Sequence, residues 1–266
     1  MLGVGAIFLS VLGTGCEPVI NFFAFFPDRS FMLRAEQLPR SVRHVFFSTA
    51  DGERIEGFVV VGSGSNKLVV YFHGNGGNIA QRVPELQEIA RSTGATVFGV
   101  GYRGYGASTG RPSERGIYRD GEAALRYARD ELGFPDERMV LFGRSLGTTV
   151  AVHLGKALPA AAIVLVTPLS SGREMAKVMG LGWLGFLVRD SFDNLAGAPD
   201  LIAPVLVIHG TSDEVVPFAQ GKRVFDAIVA PKRFVEIPGG RHNDLEFENA
   251  DPYWGTIASF LSSPPL

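Results

Sequence analysis

A single cysteine, Cys16, stands in the 266-residue chain, so no intramolecular disulfide can form. Charge of neither sign predominates. Lys and Arg number 25 against 27 Asp and Glu, for a net charge of -2. That balance gives nucleic acid or a strongly anionic surface no electrostatic foothold. There is no internal repeat and no low-complexity tract. What is there is a 46% hydrophobic chain, which suits one α/β domain with a sizeable core.

The N-terminus is where the cysteine matters. Residues 1–15 are small and apolar, without a charged side chain, and lead into Leu12-Gly13-Thr14-Gly15-Cys16. This resembles a bacterial lipoprotein signal, in which Cys16 would receive the lipid. It departs from that pattern in two ways: the leucine is one position further from the cysteine than usual, and no Lys or Arg precedes Cys16. The run is short of the ~20 apolar residues of a membrane span. Residues 19–26 are apolar again after Glu17, so a membrane-embedded stretch over 2–26 is a second reading. A small buried cysteine is the third. Residues 1–26 are therefore expected to be a signal or membrane anchor at a cell envelope, and 27–266 the folded domain.

From Val42 onward the pattern alternates. Residues 42–47 and 55–61 are strand-like around Asp51-Gly52 and predict an antiparallel hairpin. Short, wholly apolar runs at 68–72, 96–100, 139–142, 162–166, 205–208 and 234–237 predict buried strands. Helical periodicity occupies 79–92, 116–132, 148–158 and 253–261. Strands alternating with helices predict an α/β fold: a mostly parallel, mixed sheet with helices on both faces. The interval 170–203 breaks the rhythm, with one helix expected over 172–179 and the apolar run Leu181-Gly182-Trp183-Leu184-Gly185-Phe186-Leu187. It reads as a short helical lid, an ordinary crossover helix being the alternative.

The chemistry starts at Gly143-Arg144-Ser145-Leu146-Gly147, a serine between two glycines at a strand-to-helix turn. This nucleophile-elbow pattern strains the serine and presents its hydroxyl at a helix N-terminus. A serine needs a base, and the base needs an acid to orient it. Of five histidines, His44 lies far upstream and His153 lies in the helix after the elbow. His209 ends a strand, and His73 is expected to order its own loop. His242, in the polar loop after the last strand, alone fits the chain order of nucleophile, acid, base. Asp213 follows a strand end between the two and is the preferred acid. Glu214 is its near competitor, Asp193 and Asp200 are worse placed, and Asp244 is too close to His242. The oxyanion hole should take the Leu146 amide and that of Asn75, in His73-Gly74-Asn75-Gly76-Gly77-Asn78. That loop holds neither a P-loop nor a dinucleotide-binding pattern.

These motifs, with Tyr102-Arg103-Gly104-Tyr105-Gly106-Ala107-Ser108-Thr109-Gly110 and His209-Gly210-Thr211-Ser212-Asp213-Glu214-Val215-Val216-Pro217, resemble the α/β-hydrolase superfamily from Val42 onward. Within it the set resembles small serine aminopeptidase-like hydrolases, in whose neighbourhood the eukaryotic protein-depalmitoylating hydrolases fall. The resemblance implies an α/β-hydrolase fold, a Ser145–Asp213–His242 triad, a compact lid, and no metal or organic cofactor. Arg241 beside the base departs from the small residue common there. The expected activity is hydrolysis of a carboxylic ester or thioester. The apolar run at 181–187 and an anchored N-terminus favour an acyl-chain substrate near a membrane. An aminopeptidase or amidase, with Glu174, Asp190 and Asp193 to hold an amine, is the first alternative. A non-catalytic binding or scaffold lipoprotein is the second.

Overall fold

The protein is described by a computed structural model over residues 21, 24–33, 35–184, 191–248 and 250–265. Cys16 lies outside the described residues, as do most of the expected anchor and residues 185–190 of the expected lid. No described helix is long and apolar enough to cross a membrane.

In chain order the elements are β1 (Phe26–Pro27), β2 (Val42–Ser48), β3 (Arg54–Val60), β4 (Leu68–Phe72), β5 (Gly76–Gly77), α1 (Val83–Thr93), β6 (Thr96–Val100) and α2 (Glu114–Asp130). Then come β7 (Met139–Arg144), α3 (Gly147–Gly155), β8 (Ala162–Val166), α4 (Gly172–Val178), α5 (Asn194–Gly197), β9 (Val205–Gly210), α6 (Phe218–Ala227), β10 (Lys232–Ile237), α7 (Leu245–Glu248) and α8 (Ala250–Ser262). The main sheet has eight strands in the order β10-β9-β8-β7-β4-β6-β3-β2. Only β3 runs against its neighbours; it pairs antiparallel with both β2 and β6. The strands from β6 to β10 are parallel.

The wholly apolar strands follow from burial on both faces. In β4, Leu68, Val70 and Phe72 point into one core cluster and Val69 and Tyr71 into the other. The first cluster is closed by Ile117 and Leu125 of α2, Val150 and Leu154 of α3, and Val224 of α6. The second is closed by Leu86 and Ile89 of α1 and by Tyr253, Ile257 and Phe260 of α8. The alternation places helices on both sides and leaves the carboxyl ends of β4, β7, β9 and β10 opening at one end of the sheet, where such folds build their sites.

Two details differ from the sequence expectation. The helix expected over 79–92 begins as a 3-10 turn (Ile79–Arg82), capped by Asn78, and becomes α-helical only at Val83, where Pro84 fits the first turn. Among the described residues, the interval 170–203 holds the expected helix as α4 and, beyond it, a 3-10 turn (Gly182–Leu184), α5 and a second 3-10 turn (Ala198–Asp200) that the sequence reading did not place.

Candidate active site

At the end of β7 the chain turns at Ser145, whose φ of 51° is in the left-handed region that a non-glycine residue avoids. The elbow glycines answer a packing demand. A Cβ on Gly143 would lie 2.5 Å from the Gly147 oxygen, and one on Gly147 2.0 Å from the Phe72 oxygen. No side chain fits there, so β7, β4 and α3 close to backbone contact. The turn is held by Ser145 N–H donating to the Val166 oxygen (2.9 Å), and by the Thr148 amide and hydroxyl donating to the Ser145 oxygen (3.0 and 2.6 Å).

The loop after β10 brings His242 to this turn. His242 Nε2 lies 3.1 Å from Ser145 Oγ, and Nδ1 lies 2.8 Å from Asp213 Oδ2. With the proton on Nδ1, the ring donates to the carboxylate and accepts the serine hydroxyl through Nε2. Asp213 reaches the ring from the loop after β9. Its Oδ1 accepts the Val215 and Val216 amides at 2.9 and 2.7 Å, leaving Oδ2 for His242. Burial pushes the Asp213 carboxyl up, but the hydrogen bonds from His209 and His242 and the Val216 amide outweigh it. The group is held well below the usual carboxylate range.

The other candidates fall into supporting places. Glu214 accepts the His242 backbone N–H at 3.3 Å and pairs with Arg241 at 3.2 Å, so it steadies the loop of the base. Asp244 accepts the Arg241 amide, and Asp193 the Ala196 amide at the start of α5. His209 is fully buried; its Nε2 donates to the Val216 oxygen at 2.9 Å and lies 3.3 Å from Asp213 Oδ2. His73 holds the Gly74 oxygen at 2.6 Å, and its burial lowers its pKa to about 3, so it stays neutral. His44 pairs with Glu56, and His153 stacks on Tyr118.

The loop after β4 faces the serine: a Cβ on Gly74 would lie 3.5 Å from that of Ser145. The next residue, Asn75, has its side-chain oxygen committed to the Tyr105 hydroxyl and the Phe26 amide, both at 2.9 Å. Leu146 is the N-cap of α3, where backbone amides lack intrahelical partners. Among the acidic residues considered for holding an amine, Glu174 is neutralised by Lys177 and Arg223 at 2.6 and 3.0 Å. Asp190 lies outside the described residues. Among the described residues no group of three or more His, Cys, Asp or Glu side chains converges as metal ligands do.

The elbow's own arginine escaped the sequence reading. Arg144 is buried, donates to Glu85 (3.1 Å) and Glu246 (2.8 Å), and reaches the His242 carbonyl oxygen at 3.3 Å. Glu85 also accepts the Tyr71 hydroxyl at 2.7 Å. The signal available was a cation inserted between a buried strand and a buried helix, which needs anionic partners.

Residues 67–188 match the family described as the α/β hydrolase fold. Human α/β-hydrolase domain-containing protein 17B is 34% identical over 74% of this chain and 68% of its own length. The chain belongs to the α/β-hydrolase family. Its α/β-hydrolase relatives include the protein WAV2 of Arabidopsis thaliana, 30% identical over 88% of this chain and 83% of that protein. An uncharacterised protein of Mycobacterium tuberculosis is 35% identical over 90% of this chain and 85% of its own. Among solved structures, an esterase of Pyrococcus furiosus superposes with a TM-score of 0.71 at 18% identity, covering 90% of this chain and 96% of that one. At that identity the likeness is one of α/β-hydrolase fold.

Proposed function

We propose that this α/β hydrolase is a serine esterase or thioesterase working through an acyl-enzyme. The observation that carries the reading is the continuous relay from Ser145 Oγ through His242 to Asp213, built on a strained elbow. In the proposed reaction Ser145 Oγ attacks the acyl carbonyl carbon while His242 Nε2 takes the hydroxyl proton. Asp213 keeps Nδ1 protonated and stabilises the imidazolium. The Asn75 and Leu146 amides receive the negative charge that develops on the carbonyl oxygen. Collapse of the tetrahedral species expels the alkoxide or thiolate, which leaves with the proton from Nε2. Water then attacks the acyl-enzyme as His242 Nε2 takes its proton, and the second tetrahedral species releases the carboxylic acid by expelling Ser145 Oγ, which takes that proton back.

Ester or thioester is favoured over amide because the described acidic candidates for gripping a substrate amine are already committed to neighbours. The segment 170–203 is proposed as a lid over an acyl chain, in keeping with the exposed apolar side chains of Val178, Met179 and Trp183. Association with a membrane through residues 1–26, with Cys16 as the lipidated residue, belongs to the same proposal. The test is turnover of p-nitrophenyl esters of graded chain length by the full chain and by S145A. Ester turnover lost in S145A supports the reading. Turnover equal in both, or aminoacyl-amide turnover exceeding ester turnover, overturns it. Metabolic lipid labelling of wild type against C16S tests the anchor.

A further inference from the structure

The segment ahead of the sheet does not simply lead into the domain. Phe25 is buried and meets Phe192 edge-on at 5.7 Å. Phe26 and Pro27 form β1, a short parallel pair with Gly76 and Gly77 in the loop that carries Asn75. The Phe26 amide donates to Asn75 Oδ1, which also takes the Tyr105 hydroxyl. The Asp28 amide donates to the Gly77 oxygen at 3.2 Å, and the Asp28 oxygen accepts the Gly106 amide at 2.9 Å. Asn78 Nδ2 donates to the Asp28 and Phe31 oxygens at 3.1 and 2.8 Å, and Gln81 Nε2 to Asp28 Oδ2 at 3.0 Å. Arg29 donates to the Gly104 oxygen at 2.9 Å. Residues 25–31 are thus stitched between the loop after β4 and the loop at 102–110.

The loop at 73–78 contains three glycines, and glycine loses more backbone freedom on ordering than any other residue. Ordering such a loop carries a high entropic cost that its contacts must offset. An oxyanion donor is effective only when it is aimed before the charge develops. The loop's ends are held by Tyr102 at the His73 oxygen and Arg82 at the Gly76 oxygen, and the Asn75 side chain itself is held by Tyr105 and the upstream arm.

From this arrangement we infer that residues 25–31 are a positioning element of the oxyanion hole, with the Phe26 N–H and the Tyr105 hydroxyl fixing Asn75 so that its own backbone amide meets the carbonyl oxygen. The inference rests on the serine-hydrolase reading above. It makes the arm part of the working site rather than a spacer. It also gives the state of the N-terminus a route to the catalytic rate, because whatever pulls on residue 25 pulls on the Asn75 loop.

The test uses the full chain and four variants. Phe26→Pro deletes one N–H and removes only a half-exposed ring. Asn75→Ala keeps the loop amide but removes the oxygen that both anchors share. The double variant closes the cycle, and Met32→Ala, exposed just beyond the arm, is the surface control. Loss of a whole oxyanion donor lowers kcat by ~10²–10³-fold, so a misaimed one is expected to lower it by ~10–100-fold. F26P and N75A should each do this with KM moving less than about 3-fold. Affinity for an alkyl trifluoromethyl ketone, whose bound adduct carries an oxyanion, should fall by the same factor as kcat/KM. In the N75A background F26P should have no further effect, and M32A should behave as wild type. Amides at 74–77 should exchange hydrogen faster in F26P. Faster exchange with kcat unchanged, unaltered exchange, or F26P and N75A effects that multiply would each overturn the inference. A wild type whose turnover survives S145A overturns the hydrolase reading instead, which the exchange data distinguish from a failed tether.

Discussion

Replacing Arg144 with methionine should destabilise the protein severely, and its cost can be worked from the contacts. The guanidinium is buried and its two carboxylate partners, Glu85 and Glu246, have side chains only 10% and 11% exposed. Methionine keeps most of the volume but leaves two carboxylates in a low-dielectric pocket without a cation. Breaking a buried pair by removing one partner costs about 3–5 kcal/mol. In a domain of this size ~1 kcal/mol moves the melting temperature by roughly 2–4 °C, so R144M should melt about 6–20 °C lower. The triple variant R144M/E85Q/E246Q should recover most of that loss, because the penalty belongs to the stranded charges. Turnover should fall as well, since the His242 carbonyl loses its donor and the base is no longer held against Ser145. Urea and thermal unfolding of the three proteins measure this directly. An R144M protein within ~1 kcal/mol of wild type, or a triple variant no better than the single, would show that stranded carboxylates are not what the substitution costs.

Three further outcomes are expected. G147A should be destabilised by at least ~1–3 kcal/mol, because its methyl would meet the Phe72 backbone at 2.0 Å; G255A, an exposed helix position with open space around it, should gain about 0.5–1 kcal/mol in the same unfolding assay. The Asp213 carboxyl is held below its unfolded value of ~3.9, so its stabilisation is complete above about pH 4 and is lost as the pH falls toward the folded pKa. The stability gap between wild type and D213N should therefore shrink on acidification from pH 5 to pH 2, and a gap that widens would contradict the assignment. H209F should lower turnover more than it lowers stability, because it removes a donor that helps keep Asp213 ionised; equal turnover in the two proteins would contradict that role.

Much of this architecture is legible in the residues themselves. Leu68–Phe72, Thr96–Val100 and Ala162–Val166 are strands with the expected bounds, because a short apolar run flanked by turn residues has few other places to go. The positions of Ser145, Asp213 and His242 at three strand ends follow from chain order, which the elbow motif constrains. The rest depends on contacts between residues far apart in sequence. Arg144 meets Glu85 and Glu246 across 59 and 102 positions, and nothing local marks those glutamates as its partners. Phe25 packs in the core and Phe26 pairs with Gly76, contacts that the division expected between residues 26 and 27 does not foretell. The arm is too short to show periodicity, and the apolar Phe25-Phe26 pair at its start reads equally as anchor or core. Trp183, in the apolar run expected to form part of the lid, is 73% exposed.

If Ser145 is an activated nucleophile, an electrophilic phosphonate will label it covalently. The full chain is treated with a fluorophosphonate and the adduct is located by peptide mass spectrometry. One phosphonylated site is expected, Ser145, with labelling slowed by orders of magnitude in H242A and abolished in S145A. Labelling at another residue, or a folded wild-type protein that takes up no probe, would contradict it.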